Sequence, residues 1–214
     1  MGTQIKKCTI ISGAPDDDIE FLKDNIDKNS YIICADSGYK NCIKSGFNPD
    51  LIIGDFDSSE RPDIDCEIIT LEVEKAFTDS FHCVMEAVKR GYSEIQFFCA
   101  IGSRMDHTYS NILSLDYCQK HNVKCCIINR KNRISLIKDK GIINKEYDNF
   151  SLFAYLSDCK RVKIKGAYYT AGFYGKDSID INQSDQFAQS NYVSDDFAEI
   201  TLDSGTLLLI ESND

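Results

Sequence analysis

No apolar run in the 214 residues approaches the length needed to cross a membrane. The opening stretch, MGTQIKKCTI, has no signal-peptide apolar core, and Lys6 stands where a myristoylation motif wants Ser or Thr. Neither secretion nor a membrane anchor is expected. Positive charge is also scarce. With 24 Lys and Arg against 34 Asp and Glu, the formal net charge is −10, which argues against nucleic-acid binding, where Lys and Arg must neutralise phosphates. Histidine is limited to His82, His107 and His121, which show no metal-ligand spacing. The 10 cysteines contain no CxxC pair, and Cys34, Cys99 and Cys125 lie inside apolar runs, where a free thiol behaves as a small hydrophobe. The expectation is a cytoplasmic chain with reduced thiols. Internal repeats and low-complexity segments are absent.

The most informative stretch is LIIGDFDSS at Leu51–Ser59. Three apolar residues run into Gly54, and then Asp55 and Asp57 follow at alternate positions beside Ser58. This pattern reads as a buried strand leaving the carboxyl edge of a sheet, the edge where open α/β sheets place ligands. Two carboxylates so close together can converge on one hard cation such as Mg²⁺. A solvated acidic turn is the plain alternative.

Around it, apolar runs and helical patterns alternate. CTIIS, YIICA, LIIG, EIITL, EIQFFCA and KCCIIN read as strands. Helices are predicted from Asp16–Asp18, after Ser37, over Asp79–Arg90 and over His107–His121, with IGSRMD at Ile101–Asp106 as a loop. Inward positions are predicted to include Tyr39, Cys42 and Ile43 in the second helix and Tyr109, Ile112, Leu113 and Tyr117 in the last. This rhythm predicts an α/β domain on a parallel sheet. Beyond Asn129 the helical patterns stop. Ile134–Ile137, Ser151–Tyr155, Arg161–Lys165 and Phe197–Leu202 read as short strands. Asp203-Ser204-Gly205 reads as a hairpin turn into Thr206–Ile210, and Phe173–Ser190 as a long loop. A small all-β domain is expected there.

Asp36, Asp55, Asp57, Asp79, Arg104 and Asp106 all fall where α/β strands end, and right-handed crossovers bring such exits to one sheet edge. Each has an ordinary role open to it: a turn for Asp36, a helix start for Asp79, an N-cap for Asp106. Together, so many acids would repel one another unless a cation or ligand sat among them.

The segments ADSGY at Ala35–Tyr39, NPDLIIGDFDSS at Asn48–Ser59, EKAFTDS at Glu74–Ser80 and AIGSRMDHTYSNIL at Ala100–Leu113 resemble, in order and spacing, the motifs of the thiamine pyrophosphokinase family. Weaker similarity continues through KGAYY at Lys165–Tyr169, Ser190-Asn191 and the closing hairpin. The resemblance implies an α/β N-terminal domain over residues 1–130, Rossmann-like with a mostly parallel sheet, that binds ATP and Mg²⁺. It implies a C-terminal β-sandwich over residues 131–214 that binds thiamine. It further implies a homodimer with shared active sites, and transfer of the pyrophosphoryl group of ATP to the thiamine hydroxyl.

By position, the resemblance assigns Asp55, Asp57 and Asp79 to the metal, Arg104 to phosphate, and Asp106 to the acceptor hydroxyl or the metal shell. Asp36, Ser58, Lys75, Thr78, His107 and Asn111 fall to the nucleotide side, and Tyr169, Ser190 and Asn191 to thiamine. The pattern departs at Ala76, where the family often has Asp, and at Ser37 and Ser103, which replace glycines. Two other readings are a Mg²⁺-dependent phosphohydrolase with Asp55 as nucleophile, and a thiamine-binding module whose catalysis is weakened at Ala76.

Overall fold

The computed structural model describes residues 5–15, 19–57, 62–186 and 188–214. The chain divides into two compact units, Met1–Arg130 and Lys131–Asp214. None of the helices among the described residues is long and apolar enough to cross a membrane.

The first unit is built on β1 (Lys7–Ile11), β2 (Tyr31–Ala35), β3 (Leu51–Gly54), β4 (Glu67–Thr70), β5 (Glu94–Phe98) and β6 (Lys124–Ile128). Their order is β4-β3-β2-β1-β5-β6, with every neighbouring pair parallel. Register explains why these strands are apolar almost throughout. Ile68, Ile52, Cys34, Ile11, Phe98 and Ile128 form one row straight across the sheet and share a core cluster with Leu22, Ile26 and Cys42. Leu22 belongs to α1 (Ile19–Asn25) and Cys42 to α2 (Gly38–Lys44).

The adjacent row, Leu51, Ile33, Ile10, Phe97 and Ile127, is also fully buried and points to the opposite face, as period-two alternation requires. That face is covered by α3 (Asp79–Lys89), which packs on β1, β2 and β3, and by α4 (Met105–Lys120), which packs on β6 and α3. Each of these large apolar side chains stabilises the sheet by roughly 1.5–3 kcal/mol. The helix predicted from Asp16–Asp18 is observed from Ile19; its expected start lies outside the described residues.

Two inward faces differ from expectation. Ile43 is exposed, and α2 buries Gly38, Asn41 and Cys42. In α4, Tyr109 and Leu113 are exposed, and the buried face is Thr108, Asn111, Ser114, Leu115 and Cys118. This stripe is mostly polar, so apolar periodicity points to the wrong side of the helix. The helix also begins earlier than its pattern suggests, so Asp106 lies in its first turn rather than in a loop.

The second unit contains β7 (Asn132–Ile137), β8 (Lys140–Asn144), β9 (Asn149–Ala154), β10 (Cys159–Lys165), β11 (Ile179–Ile181), β12 (Phe197–Thr201) and β13 (Leu207–Ser212). β7, β13 and β9 pair antiparallel in that order, and β11, β10, β12 and β8 do so separately. One apolar cluster, including Ile137, Phe150, Leu152, Val162, Ile200, Leu207 and Leu209, draws on both groups of strands.

The expected closing hairpin does not form. β12 pairs with β10 and β8, and β13 pairs with β7 and β9, so the turn at Asp203–Gly205 carries the chain from one sheet to the other. Gly205 makes that crossing possible. Its φ is +95°, and a Cβ there would lie 2.6 Å from the Asp158 carbonyl oxygen. Two strands, β8 and β11, were not read from sequence. In β8 the glycine at 141 leaves only Ile142 and Ile143 as an apolar signal, and β11 is only three residues long, inside the stretch predicted as a loop.

Candidate active site

Going from β1 to β5 the strand order changes direction, and crevices open at such points beyond the carboxyl ends of the strands. A cavity of about 620 Å³ lies there. It is lined by the exits of β1 (Ser12–Pro15), β2 (Ala35–Ser37) and β5 (Cys99 to Arg104), and by residues leading into α3 and along α4. Its size is within the usual range for small-molecule sites.

The backbone around this edge is held in an unusual state. Asp36, Phe56 and Cys99, each just past a strand, have φ of 43°, 53° and 52°. Left-handed backbone at non-glycine residues costs on the order of 1 kcal/mol or more and gathers at functional sites. Gly38 allows the close packing beside it, since a Cβ there would sit 2.2 Å from the Ile11 carbonyl oxygen. A Cβ on Gly54 would lie 3.0 Å from the Asp36 Cα, so a larger residue at the end of β3 would push on the Asp36 backbone.

Charge gathers at the start of α3. Thr78 caps this helix: its Oγ1 accepts a hydrogen bond from Phe81 N at 3.2 Å. That contact fixes Asp79 in the first turn, where the helix dipole favours a carboxylate. Lys75 forms an ion pair with Asp55 and another, at 3.0 Å, with Asp79 Oδ1. The second pair is off the line of a hydrogen bond, so the buried Asp79 Oδ1 has no hydrogen-bond donor, and neither does the buried Asp36 Oδ1.

Burial pushes the Asp79 carboxyl above the usual carboxylate range; Lys75 opposes this, and the charges of Asp55 and Asp36 add to it. Asp55 goes the other way, held below its ordinary value chiefly by the hydrogen bond from Lys75. Burial works against the charge on Lys75, but its hydrogen bond to Asp55 and the attraction of the Asp79 and Asp55 charges outweigh that and raise its pKa.

Among the described residues, no three Asp, Glu, His or Cys side chains are grouped to hold a metal ion. Mg²⁺ does not require such a group. It usually takes one or two protein carboxylates and completes its shell with waters and substrate phosphates. Asp55 and Asp79, with orphaned oxygens on Asp79 and Asp36, fit that partial shell.

The other expected site residues are distributed unevenly. The Asp57 side chain is exposed, and its backbone N–H donates to Asp55 Oδ1 at 3.2 Å. Ser58 lies outside the described residues. Arg104 lines the cavity from the N-cap position of α4, but its side chain is 69% exposed and its guanidinium is turned to Asp106 at 2.6 Å. The hydrogen bond from Arg104 holds the Asp106 carboxyl below its ordinary value. His107 lines the cavity and is exposed, whereas Asn111 is buried and donates from Nδ2 to the Ala100 carbonyl at 2.8 Å, tying α4 to the β5 exit.

Ser12 and Ser80 were not singled out from sequence. Their hydroxyls meet at 2.6 Å in the cavity wall, and the only sequence signal is that Ser12 ends the first apolar run.

In the second unit, Tyr169 is half-buried in an aromatic group. Its ring is 4.9 Å from Tyr168 and 5.1 Å from Phe173, and Tyr168 stacks on Tyr192. Asn191 is 1% exposed, and its amide is spent on backbone. Nδ2 donates to the Tyr169 carbonyl, and Oδ1 accepts from Tyr169 N and Tyr192 N. Asn191 therefore positions the tyrosines, and no polar atom of its amide is left facing solvent for a ligand. Ser190 is exposed, with φ of 54°.

Residues 22–127 match the family model for the thiamin pyrophosphokinase catalytic domain. The chain is 27% identical to the thiamine pyrophosphokinase of Bacillus subtilis (strain 168) over 224 residues, covering 98% of this chain and 100% of the relative. Its fold is similar to the crystal structure of thiamine pyrophosphokinase from Bacillus subtilis, with a TM-score of 0.85 at 23% identity, covering 98% and 100% of the two chains. It is also similar to thiamin pyrophosphokinase from Candida albicans, with a TM-score of 0.72 at 19% identity, covering 97% and 89%. At those identities the structural likeness speaks for the fold, and the matched catalytic domain speaks for the family. Residues 22–127 thus carry the match to the thiamin pyrophosphokinase catalytic domain, and over nearly its whole length the chain is similar to a thiamine pyrophosphokinase.

Proposed function

We propose that this protein transfers the pyrophosphoryl group of ATP to the hydroxyl of thiamine, giving thiamine diphosphate and AMP. The observation that carries the reading is the cavity at the β1/β5 edge, whose half-neutralised carboxylates lie within the matched catalytic domain. The antiparallel unit, read as a β-sandwich, holds the vitamin, and the reaction is placed in the cytoplasm.

Asp55 and Asp79, with Asp36 beside them, would hold Mg²⁺, and Asp57 joins them only by reorienting its exposed side chain. Bound there, the ion would neutralise phosphate charge. Phosphoryl transfer depends mainly on such neutralisation and on positioning. Arg104 leaves Asp106 and clamps a phosphate bidentately. That frees Asp106 to accept the proton of the thiamine hydroxyl, as its oxygen attacks the β-phosphorus and the bond to the α-phosphate oxygen breaks. Ser12, Ser37 and Thr78 line the wall where phosphate oxygens would lie. Tyr169 offers a ring face to the thiazolium cation. In this proposal two copies of the chain pair, and Tyr169 of one serves the cavity of the other. The two oxygens of Asp55 are engaged by Lys75 and Asp57 N, which suits a ligand or an electrostatic anchor better than a phosphohydrolase nucleophile.

The test is product analysis with ATP, Mg²⁺ and thiamine. AMP and thiamine diphosphate are expected in equal amounts, with neither formed when thiamine is omitted. ADP with thiamine monophosphate would overturn the pyrophosphoryl assignment, and thiamine-independent phosphate release would point to a hydrolase.

A further inference from the structure

Lys75 sits where the carboxylates would otherwise meet a divalent cation. It lies four residues before Asp79, and its side chain is only 15% exposed. Its ammonium bears on carboxylates from two different elements, Asp55 after β3 and Asp79 at the start of α3. One positive charge faces two negative ones, and Asp79 Oδ1 still lacks a hydrogen-bond donor. A divalent cation bound to both carboxylates would leave no room for the ammonium beside it, because like charges a few ångströms apart repel strongly at a partly buried site. The lysine stem is long and flexible, and the cavity it lines offers space next to Ser37, Thr78 and Arg104.

We propose that Lys75 is a tethered stand-in for the cation. In the nucleotide-free protein it holds Asp55 and Asp79 together and competes against bare divalent metal. When nucleotide and metal arrive together, Lys75 withdraws from the carboxylates and pairs with a phosphate oxygen in the cavity. The two roles are exclusive, so bare metal must displace the lysine and binds weakly, whereas metal that arrives with a phosphate to receive the lysine binds tightly. This inference rests on reading the cavity as a nucleotide–metal site.

The test measures Mn²⁺ binding to the nucleotide-free, full-length protein from the free-ion electron paramagnetic resonance signal. Lys75→Met and Lys75→Gln should bind Mn²⁺ on the order of tenfold more tightly than the unaltered chain, equivalent to 1.4 kcal/mol. Lys75→Arg, which keeps the charge, should stay close to it. A purely structural lysine predicts the opposite sign, because two unpaired carboxylates would repel and lose their geometry. Equal or weaker Mn²⁺ binding in the neutral variants therefore overturns the proposal.

If neither neutral variant folds by circular dichroism, the unaltered protein decides. Acetylation of Lys75, followed by mass spectrometry, should speed up several-fold when Mn²⁺ is added, and an unchanged or slower rate overturns the proposal. These readouts need no turnover, so they separate the two ideas. Tighter Mn²⁺ binding without thiamine diphosphate formation would sink the proposed reaction and leave the role of Lys75 standing. Thiamine diphosphate formation with unaltered Mn²⁺ binding would do the reverse.

Discussion

The two units solve their polar problem in different ways. In the first, all six strands are parallel, so every strand exit lies along one edge, and the side chains that follow them converge. Asp36, Asp55 and the Ser12 hydroxyl arrive at that edge together, and α3 brings Asp79. The result is a cavity with two orphaned carboxylate oxygens and left-handed backbone at Asp36, Phe56 and Cys99. In the second unit the strands are antiparallel, so exits alternate between ends and no such convergence occurs.

That unit's buried charge is dispersed and partnered. Glu211, 4% exposed, continues the inward alternation of Leu207 and Leu209 and faces Arg133 at 3.9 Å, and Arg133 also pairs with Glu146 and lies over the Tyr147 ring. Tyr168, Phe173, Tyr174 and Tyr192 are among its exposed apolar side chains, with Ile142, Leu156 and Phe197. Parallel topology gathers charge at one edge, whereas antiparallel topology disperses it, as it disperses the left-handed backbone at Asp139, Leu156, Arg161 and Ser190.

This contrast can be broken experimentally. The largest effect is expected in the second unit's core. Phe150 is 1% exposed in the shared cluster, and Phe150→Ala should cost about 3–5 kcal/mol in urea unfolding. A loss below about 1 kcal/mol would mean that cluster does not carry the unit.

Next comes Asp79→Asn, which keeps size and deletes charge. It should lower turnover by roughly two to three orders of magnitude, about 3–4 kcal/mol, as for losing one preorganised group at developing charge. Its unfolding midpoint should hold, because the orphaned carboxylate is already unfavourable. If stability fell and turnover did not, the cavity would be ordinary core.

Tyr169→Ala should weaken thiamine binding by roughly 0.5–2 kcal/mol in calorimetry and leave ATP binding unaltered. Equal losses for both ligands would remove the assignment of the vitamin to the second unit.

The smallest effect concerns Glu211. Burial raises its pKa, Arg133 lowers it and Glu146 adds to the rise, for a net shift upward. A raised folded pKa means its stabilising contribution is full below the ordinary value and is lost as pH climbs through the folded value. Unfolding free energies of Glu211→Gln and the unaltered chain should therefore diverge in favour of Gln as pH rises from about 4.5, the ordinary glutamate value. A constant difference across that range would show that the carboxylate titrates normally.

The parallel strands were legible because both faces of the sheet are buried, which leaves continuous apolar runs such as LIIG and YIICA. The acids after β2 and β3 were legible for the same reason, since they end those runs abruptly. α4 was only half legible. Its existence showed in its length, but its inward face is Thr108, Asn111, Ser114, Leu115 and Cys118, and polar residues that hydrogen-bond to strand-exit backbone look like solvent-facing ones. The hairpin reading of Asp203–Gly205 was misplaced because a tight turn states that the chain reverses, not which sheet receives the next strand.

By itself, the sequence determined the alternation of the first unit, the β character of the second and the likeness to the family's motifs, because apolar periodicity and motif spacing are local and survive without coordinates. Only the tertiary structure decided that Lys75 spans Asp55 and Asp79, that Asp57 faces outward, that Arg104 turns to Asp106 and that the Asn191 amide is consumed by backbone. These are choices among partners lying within reach of one another. They are settled by which donors and acceptors the fold brings within reach of one another, and that competition exists only once the chain is folded.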